Sequence, residues 1–148
     1  MAGKSPTLAA LLDVLIPARD DGGLPGAGSL GLAEPVHAAL APALEPLLAQ
    51  ALETLDHAAR ERGAADFAAA SPALRGEILA RLAEPHPALV QTLAFLSYRA
   101  YYSDPRVLEA LGLEPRSPFP EGHPMEPTDF RELLAPVRRR AKLYRDAP

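Results

Sequence analysis

Residues 43–63 read ALEPLLAQALETLDHAARERG and form the longest amphipathic stretch of the chain. The apolar positions recur with the helical period and make one stripe, formed by Leu44, Leu47, Leu48, Ala51, Leu52 and Leu55. Gly63 follows as a natural C-terminal stop for a helix. We therefore predict a helix from about Ala43 to Arg62 that packs its leucine stripe into a helical bundle.

The composition extends this prediction to the whole chain. Its 29 Ala and 25 Leu far outnumber the 11 β-branched residues, so a sheet is nearly excluded. A length of 148 residues with 48% hydrophobic content is enough for one core and one domain. The 17 prolines must then lie mostly at helix boundaries, because a proline inside a helix costs about 3 kcal/mol.

Prolines, glycines and capping residues divide the rest of the chain into short helices. We predict helices at 8–16 after an N-cap at Thr7, at 29–40, at 72–84 after Ser71, at 88–103, and at 105–111 after Asp104. Residues 17–28 contain four Gly and two Pro and are predicted to form an irregular loop. Residues 88–103 are apolar around nearly the whole circumference, which predicts the central helix of the bundle.

The predicted fold is an all-α, single-domain bundle of about six to seven short helices with a proline-rich extended arm near the C-terminus. The domain covers residues 1–148, with a helical core at 7–112, the arm at 113–127 and a basic helical segment at 128–146. In that last segment we expect Thr128 to cap one short helix and Pro136 to start another that ends near Tyr144. Residues 131–146 hold six Lys or Arg against two acids, which suits a contact surface or a solvated tail.

The chain shows no self-sufficient catalytic constellation. It has no Cys, which excludes disulfides, thiolate nucleophiles and cysteine-ligated metal centres, and it has neither a Gly-x-Ser-x-Gly elbow nor a phosphate-binding Gly-Lys-Ser/Thr motif. Glu34 and His37 have the spacing of a di-iron ligand pair, but a second such pair is missing. A metal enzyme that uses Glu34, His37 and His57 is therefore the third hypothesis for this chain. The first two, described below, are both binding roles without catalysis.

Several segments, taken in order, resemble the gluconate 2-dehydrogenase subunit 3 family. The matching segments are LLDVLIPARDDGG at 11–23, PGAG at 25–28, GLAEPV at 31–36, FAAASPALRGEIL at 67–79, YYSDPRV at 101–107 and LG at 111–112. The resemblance covers roughly residues 8–127. Each motif is short, and their order and spacing carry the match.

The resemblance implies a small helical subunit that is not itself an enzyme and holds no cofactor. Such a subunit binds and stabilises a large FAD-containing dehydrogenase subunit of the glucose-methanol-choline type, and a cytochrome c subunit can share the complex. The places expected to contact the partner are the Leu-Ile-Pro loop, the Tyr-Tyr-Ser-Asp-Pro turn and the proline-rich arm. The residues concerned are Ile16, Pro17, Tyr98, Tyr101, Tyr102, Asp104, Pro105, Phe119 and Pro120.

The alternative is a free-standing helical protein that binds a small ligand or another protein without a dehydrogenase partner. A closed cavity beside Phe95, Tyr98 and Tyr102 would favour a ligand, and an exposed apolar patch would favour the subunit. The three tyrosines could also simply fill the core. We expect no binding of nucleic acid and no direct insertion into a membrane. The expected location is cytoplasmic for the chain as written, and periplasmic, as the resemblance implies, if a partner carries it through export.

Overall fold

The computed structural model describes residues 5–116, residue 122 and residues 129–140. These residues contain seven α-helices and no strand, which confirms the all-helical prediction. The helices are α1 (Pro6–Leu15), α2 (Ala33–Ala38), α3 (Glu45–Glu61), α4 (Pro72–Ala83), α5 (Pro87–Tyr101), α6 (Pro105–Ala110) and α7 (Arg131–Arg138). A 3₁₀ turn at Pro42–Leu44 leads into α3.

The chain divides into two compact units, Met1–Arg116 and Ser117–Pro148. The first unit contains α1 to α6 and the second contains α7. The sequence predicts a single domain over residues 1–148, in which the arm begins after residue 112 and ends at residue 127. That division stays a prediction. Most of the predicted arm, residues 117–121 and 123–127, lies outside the described residues.

Prolines start most of the helices in the first unit, as the composition predicts. A proline occupies the first or second position of α1, α3, α4, α5 and α6, where its missing N–H breaks no helical hydrogen bond. Side chains of Ser5, Ser71 and Asp104 cap α1, α4 and α6 by accepting backbone N–H bonds. Gly63 has φ 86° just beyond the end of α3, a conformation that glycine adopts without strain.

Two predicted helix starts are wrong. α1 begins at Pro6 after the Ser5 cap, and Thr7, the predicted cap, is a buried residue of the first turn. α2 covers only Ala33–Ala38, because the chain before it is held in turns, with the Ser29 hydroxyl donating to the Gly26 carbonyl at 2.7 Å. Serine competes in this way with helical hydrogen bonding, which favours turns and caps.

The core of the first unit is built mainly from α1, α3, α4 and α5. The leucine stripe of α3 points into it: Leu48, Ala51, Leu52 and Leu55 are buried, and Leu44 and Leu47 pack against the same cluster. The largest fully buried side chains include Tyr101 and Phe67. The periodicity of residues 43–63 thus predicted the correct face.

α5 is not central on all its sides. Its inner face, with Leu89, Leu93 and Leu96, belongs to the core, but its outer face exposes large aromatic side chains. The prediction of a central helix is therefore wrong for that face. The prediction grouped the tyrosines of this segment with its apolar residues. Tyrosine combines an apolar ring with a polar hydroxyl, however, and is equally suited to a surface.

A carboxylate joins four segments of the bundle. Asp56 on α3 accepts the Thr7 hydroxyl at 2.9 and 3.1 Å and the backbone N–H of Phe67 at 3.0 Å. The Phe67 carbonyl in turn accepts Arg75 Nε of α4 at 3.1 Å. Hydrogen bonds to a charged acceptor are stronger than neutral ones, so this network fixes α1, α3, the turn at Phe67 and α4 against one another.

In the second unit, α7 runs through Pro136 without a break. Prediction of a new helix starting at Pro136 is wrong, because the residues before it are already helical and the proline lies in the last turn. The predicted cap at Thr128 and the predicted end near Tyr144 lie outside the described residues.

We predict that Thr7→Ala lowers the free energy of unfolding by about 1–2 kcal/mol, because it removes a buried hydroxyl that donates to a carboxylate. Thr54→Ala is the matched control. The Thr54 hydroxyl is exposed and donates only to the Gln50 carbonyl of its own helix, so its loss should stay within about 0.5 kcal/mol. Denaturant unfolding measures both, and equal losses would contradict the role given to Asp56.

Candidate protein-binding site

Residues 17–32, here called the α1 loop, leave the end of α1 and fold back onto it. The Ala27 N–H donates to the Ile16 carbonyl at 3.0 Å. One turn earlier on α1, Asp13 Oδ1 accepts the backbone N–H groups of Gly28 at 2.8 Å and Ser29 at 3.4 Å. A side chain of the helix thus satisfies backbone donors of the returning loop, which otherwise would need water.

The α1 loop lies so close to α1 that a side chain at Gly28 would meet backbone, and one at Gly26 would displace the Asp13 carboxylate. A Cβ added to Gly28 would lie 2.1 Å from the Ala9 carbonyl oxygen, and one added to Gly26 would lie 2.3 Å from Asp13 Oδ1. Neither position has a positive φ, so the requirement is space and not backbone conformation. The Pro-Gly-Ala-Gly motif at 25–28 therefore serves this close approach.

The same loop is tied to the C-terminal end of α5 and to α6. The Tyr101 hydroxyl donates to the Pro25 carbonyl at 2.8 Å, and Arg106 Nη2 donates to the Leu30 carbonyl at 2.8 Å. Arg106 also binds both carboxylate oxygens of Asp104, at 2.9 Å through Nε and 2.7 Å through Nη2. The α1 loop therefore fixes the corner at which the chain passes from α5 to α6.

An aromatic face lies immediately above this corner. It consists of Phe95, Tyr98 and Tyr102, which are 65%, 47% and 53% exposed and share one side of α5 through their i, i+3 and i+7 spacing. The rings of Tyr98 and Tyr102 stack with centroids 6.3 Å apart and an angle of 8° between their planes. Buried Tyr101 meets Tyr102 edge-on, with centroids 5.3 Å apart and planes at 86°.

The exposed large apolar side chains of residues 5–116 cluster in a short part of the sequence. All of them fall between residues 95 and 113, and they are Phe95, Tyr98, Tyr102, Leu111 and Leu113. Single exposed apolar residues are ordinary, but a concentration of them, including stacked rings, is typical of a protein-binding surface.

Tyr101 and Asp104 are two of the titratable groups at the corner whose pKa values are shifted. Burial, and then the neighbouring Tyr102 phenol, raise the pKa of Tyr101 above its usual value of 10.0. The side-chain hydrogen bond from Arg106 is the main reason that the pKa of Asp104 lies below its usual value. At neutral pH, Tyr101 is therefore a hydrogen-bond donor and Asp104 a carboxylate, as their contacts require.

The structure places the predicted partner-contact residues in three settings. Four are exposed: Pro17, Tyr98, Tyr102 and Pro105. Three are buried or half-buried: Ile16, Tyr101 and Asp104. Two lie outside the described residues: Phe119 and Pro120. Contact of any of these residues with a partner stays a prediction.

The structure unites some of these residues and separates others. Ring contacts join the three tyrosines, and the Asp104 N–H donates to the Tyr101 carbonyl at 3.1 Å. Pro17 instead lines a groove of about 380 Å³ that also involves Val14 and Pro72 and none of the tyrosines.

The predicted partner-contact residues did not include Phe95, which was named only for a ligand cavity, or Arg106. Phe95 stands three positions before Tyr98, so helical spacing alone places it on the same face. The tether from Arg106 to the Leu30 carbonyl has no sequence signal, because nothing local identifies a backbone acceptor 76 residues away.

A cavity of about 200 Å³ lies between α3 and α4. Its apolar wall includes Leu55, Ala58, Ile78 and Leu82, and the aromatic face does not line it. Small-molecule sites usually measure about 300–1,000 Å³, so this cavity is small for a ligand-binding protein.

A metal site needs several ligands close together. The described residues contain no group of three or more His, Asp or Glu able to hold an ion. Glu34 and His37 lie on α2, whereas His57 lies on α3. There His57 Nδ1 is 3.7 Å from Glu61 Oε1, in an exposed pair on one helix.

Comparison with known families supports the resemblance in the sequence. The family model described as Gluconate 2-dehydrogenase subunit 3 matches residues 2–115. No curated protein and no solved structure gives a significant match. Separately, none of the helices in the described part of the chain is both long and apolar enough to cross a membrane.

We predict that Gly28→Ala lowers the free energy of unfolding by about 3 kcal/mol, because the added methyl group meets the Ala9 carbonyl and displaces the α1 loop. Gly76→Ala is the control. Gly76 lies inside α4 with open space around its Cβ position, so alanine should stabilise the protein by about 0.5–1 kcal/mol. Thermal or denaturant unfolding of the two variants should move in opposite directions, and a neutral Gly28→Ala would refute the close approach.

We predict that Tyr101→Phe costs about 1 kcal/mol at neutral pH, because the Pro25 carbonyl loses its donor. The raised pKa of Tyr101 gives stability that is present below about pH 10 and is lost as the pH rises through the folded-state value. The gap between wild type and Tyr101→Phe should therefore narrow above pH 10. Tyr98→Phe, at an exposed ring, should change neutral-pH stability by less than about 0.5 kcal/mol. Unfolding curves across pH test this, and a constant gap would contradict it.

Proposed function

The chain belongs to the gluconate 2-dehydrogenase subunit 3 family, and from that membership we propose that it is a non-catalytic accessory subunit of a dehydrogenase complex. In this proposal it binds and stabilises a large FAD-dependent subunit of the glucose-methanol-choline type. The larger subunit carries the flavin and the catalytic groups, and a cytochrome c subunit can join the same complex.

The observation that carries this proposal is the aromatic face of α5. Phe95 and Tyr98 on α5, and Tyr102 directly after its last residue, present rings to solvent. Tyrosine is enriched among residues that dominate binding energy at interfaces, because it buries a large ring and keeps a hydroxyl for a polar contact. Burying such rings against a partner is favourable, whereas leaving them in water gains nothing.

The support behind the face suits a binding surface. Tyr102 packs edge-on against Tyr101, whose hydroxyl is held by the Pro25 carbonyl, and α6 is tied to the same loop through Arg106. The rings are thus ordered before any partner arrives. Less side-chain entropy is lost on binding when the bound arrangement already exists, and this raises affinity.

The cavity between α3 and α4 is the observation that favours the alternative, a free-standing ligand-binding protein. Its volume of about 200 Å³ and its separation from the aromatic face make that role the weaker candidate. Phe95, Tyr98 and Tyr102 are exposed to solvent, which is what an interface for another subunit needs.

The test is co-expression of this chain with each large flavoprotein whose gene adjoins its own, and a gene neighbourhood without one would count against the proposal. The triple variant Phe95→Ser, Tyr98→Ser, Tyr102→Ser should lower co-purification at least tenfold, because each lost ring at an interface centre costs about 1–2 kcal/mol or more. The flavoprotein purified with it should also unfold at a lower temperature, since bound partners stabilise the native state.

A matched control exists on α3. Gln50, Glu53 and His57 are exposed with the same i, i+3 and i+7 spacing, so their triple serine variant alters an equal stretch of helix surface. It should co-purify like the wild type. Wild-type co-purification of the α5 variant would overturn the aromatic face as the contact, and the absence of any flavoprotein with the unaltered chain would overturn the accessory role.

A further inference from the structure

The second unit carries an exposed apolar stripe that the accessory role does not use. Phe130, Leu134 and Val137 are exposed, and their i, i+4 and i+7 spacing puts them on one side of α7 and of the residue before it. A stripe of this kind on a short helix has no internal packing to justify it among the described residues of its unit.

Arginines border the stripe. At about 100° per residue, Arg131 and Arg138 fall on one side of it and Arg140 on the other, while Arg139 lies opposite. Arg138, Arg139 and Arg140 are all exposed and follow one another at the helix end. Residues 131–146 contain six Lys or Arg against two acids, within a chain whose net charge is -4.

We propose that α7 and the two arginines after it bind the surface of a membrane that contains anionic phospholipids. The apolar stripe enters the boundary between headgroups and acyl chains, and the flanking arginines extend their guanidinium groups to the lipid phosphates. Each arginine near an anionic membrane surface is worth about a fivefold gain in partition.

The dimensions of α7 fit a helix that lies on a membrane. Eight helical residues span about 12 Å, whereas the hydrocarbon core of a bilayer is about 30 Å thick. Nucleic acid would use the arginines and leave the apolar stripe in water. A protein groove would cover the stripe, but Arg131 and Arg138 on one border and Arg140 on the other can reach the same plane that the stripe enters, which suits a broad anionic surface.

The experiment is vesicle co-sedimentation of the full chain alone, which makes it independent of any flavoprotein. The chain should partition into vesicles of phosphatidylcholine with one third phosphatidylglycerol, and at least tenfold less into phosphatidylcholine alone. Arg131→Gln, Arg138→Gln, Arg140→Gln removes the three arginines that border the stripe and should lower the anionic partition by roughly 100-fold. Raising the salt from 0.05 to 0.5 M should weaken wild-type binding, because the charges are screened.

Two further variants separate the stripe from charge in general. Leu134→Ser, Val137→Ser should lower the partition by about tenfold and leave its salt dependence in place. The control Arg60→Gln, Arg62→Gln, Arg81→Gln removes the same charge from the first unit and should bind like the wild type. Equal binding to neutral and anionic vesicles, full binding by the variant of Arg131, Arg138 and Arg140, or transfer RNA captured in place of vesicles would each overturn the proposal.

Discussion

The first unit depends on the close approach of the α1 loop to α1. At Gly28 the two backbones come nearer than any side chain allows, and the Asp13 carboxylate receives the loop's N–H groups there. This contact helps to fix the positions of the Pro25 and Leu30 carbonyls. Both of them are acceptors for the end of α5 and for α6, so an irregular loop determines where two regular helices meet.

This arrangement explains how a bundle of short helices can hold an ordered surface. A helix of six residues, such as α6, has little stability of its own, because few hydrogen bonds offset its nucleation. The Asp104 cap and the two-pronged contact of Arg106 make up for that shortness. The aromatic face is therefore held by polar contacts to the loop as much as by the apolar packing beneath it.

The sequence predicted the helices well where caps and prolines mark their ends. Ser71 with Pro72, and Asp104 with Pro105, start helices as their types suggest. Sequence reasoning failed where a long-range contact determines the position of a residue. Thr7 has the residue type of a helix cap, but it is buried and its hydroxyl donates to Asp56, 49 residues away. It failed again on α5, since hydropathy alone does not tell a tyrosine in the core, such as Tyr101, from one at the surface, such as Tyr102.

The two tethers to the α1 loop have a further consequence for the order of assembly. Each joins residues 76 positions apart, so α5 and α6 reach their final places only after a long segment has closed on itself. During synthesis, the N-terminal half of the unit emerges with its loop acceptors unfilled, and Tyr101 and Arg106 arrive late. During synthesis, the aromatic rings therefore cannot reach their final arrangement before nearly all of residues 5–116 has been made. A partner that binds these rings would bind only a chain that is nearly complete.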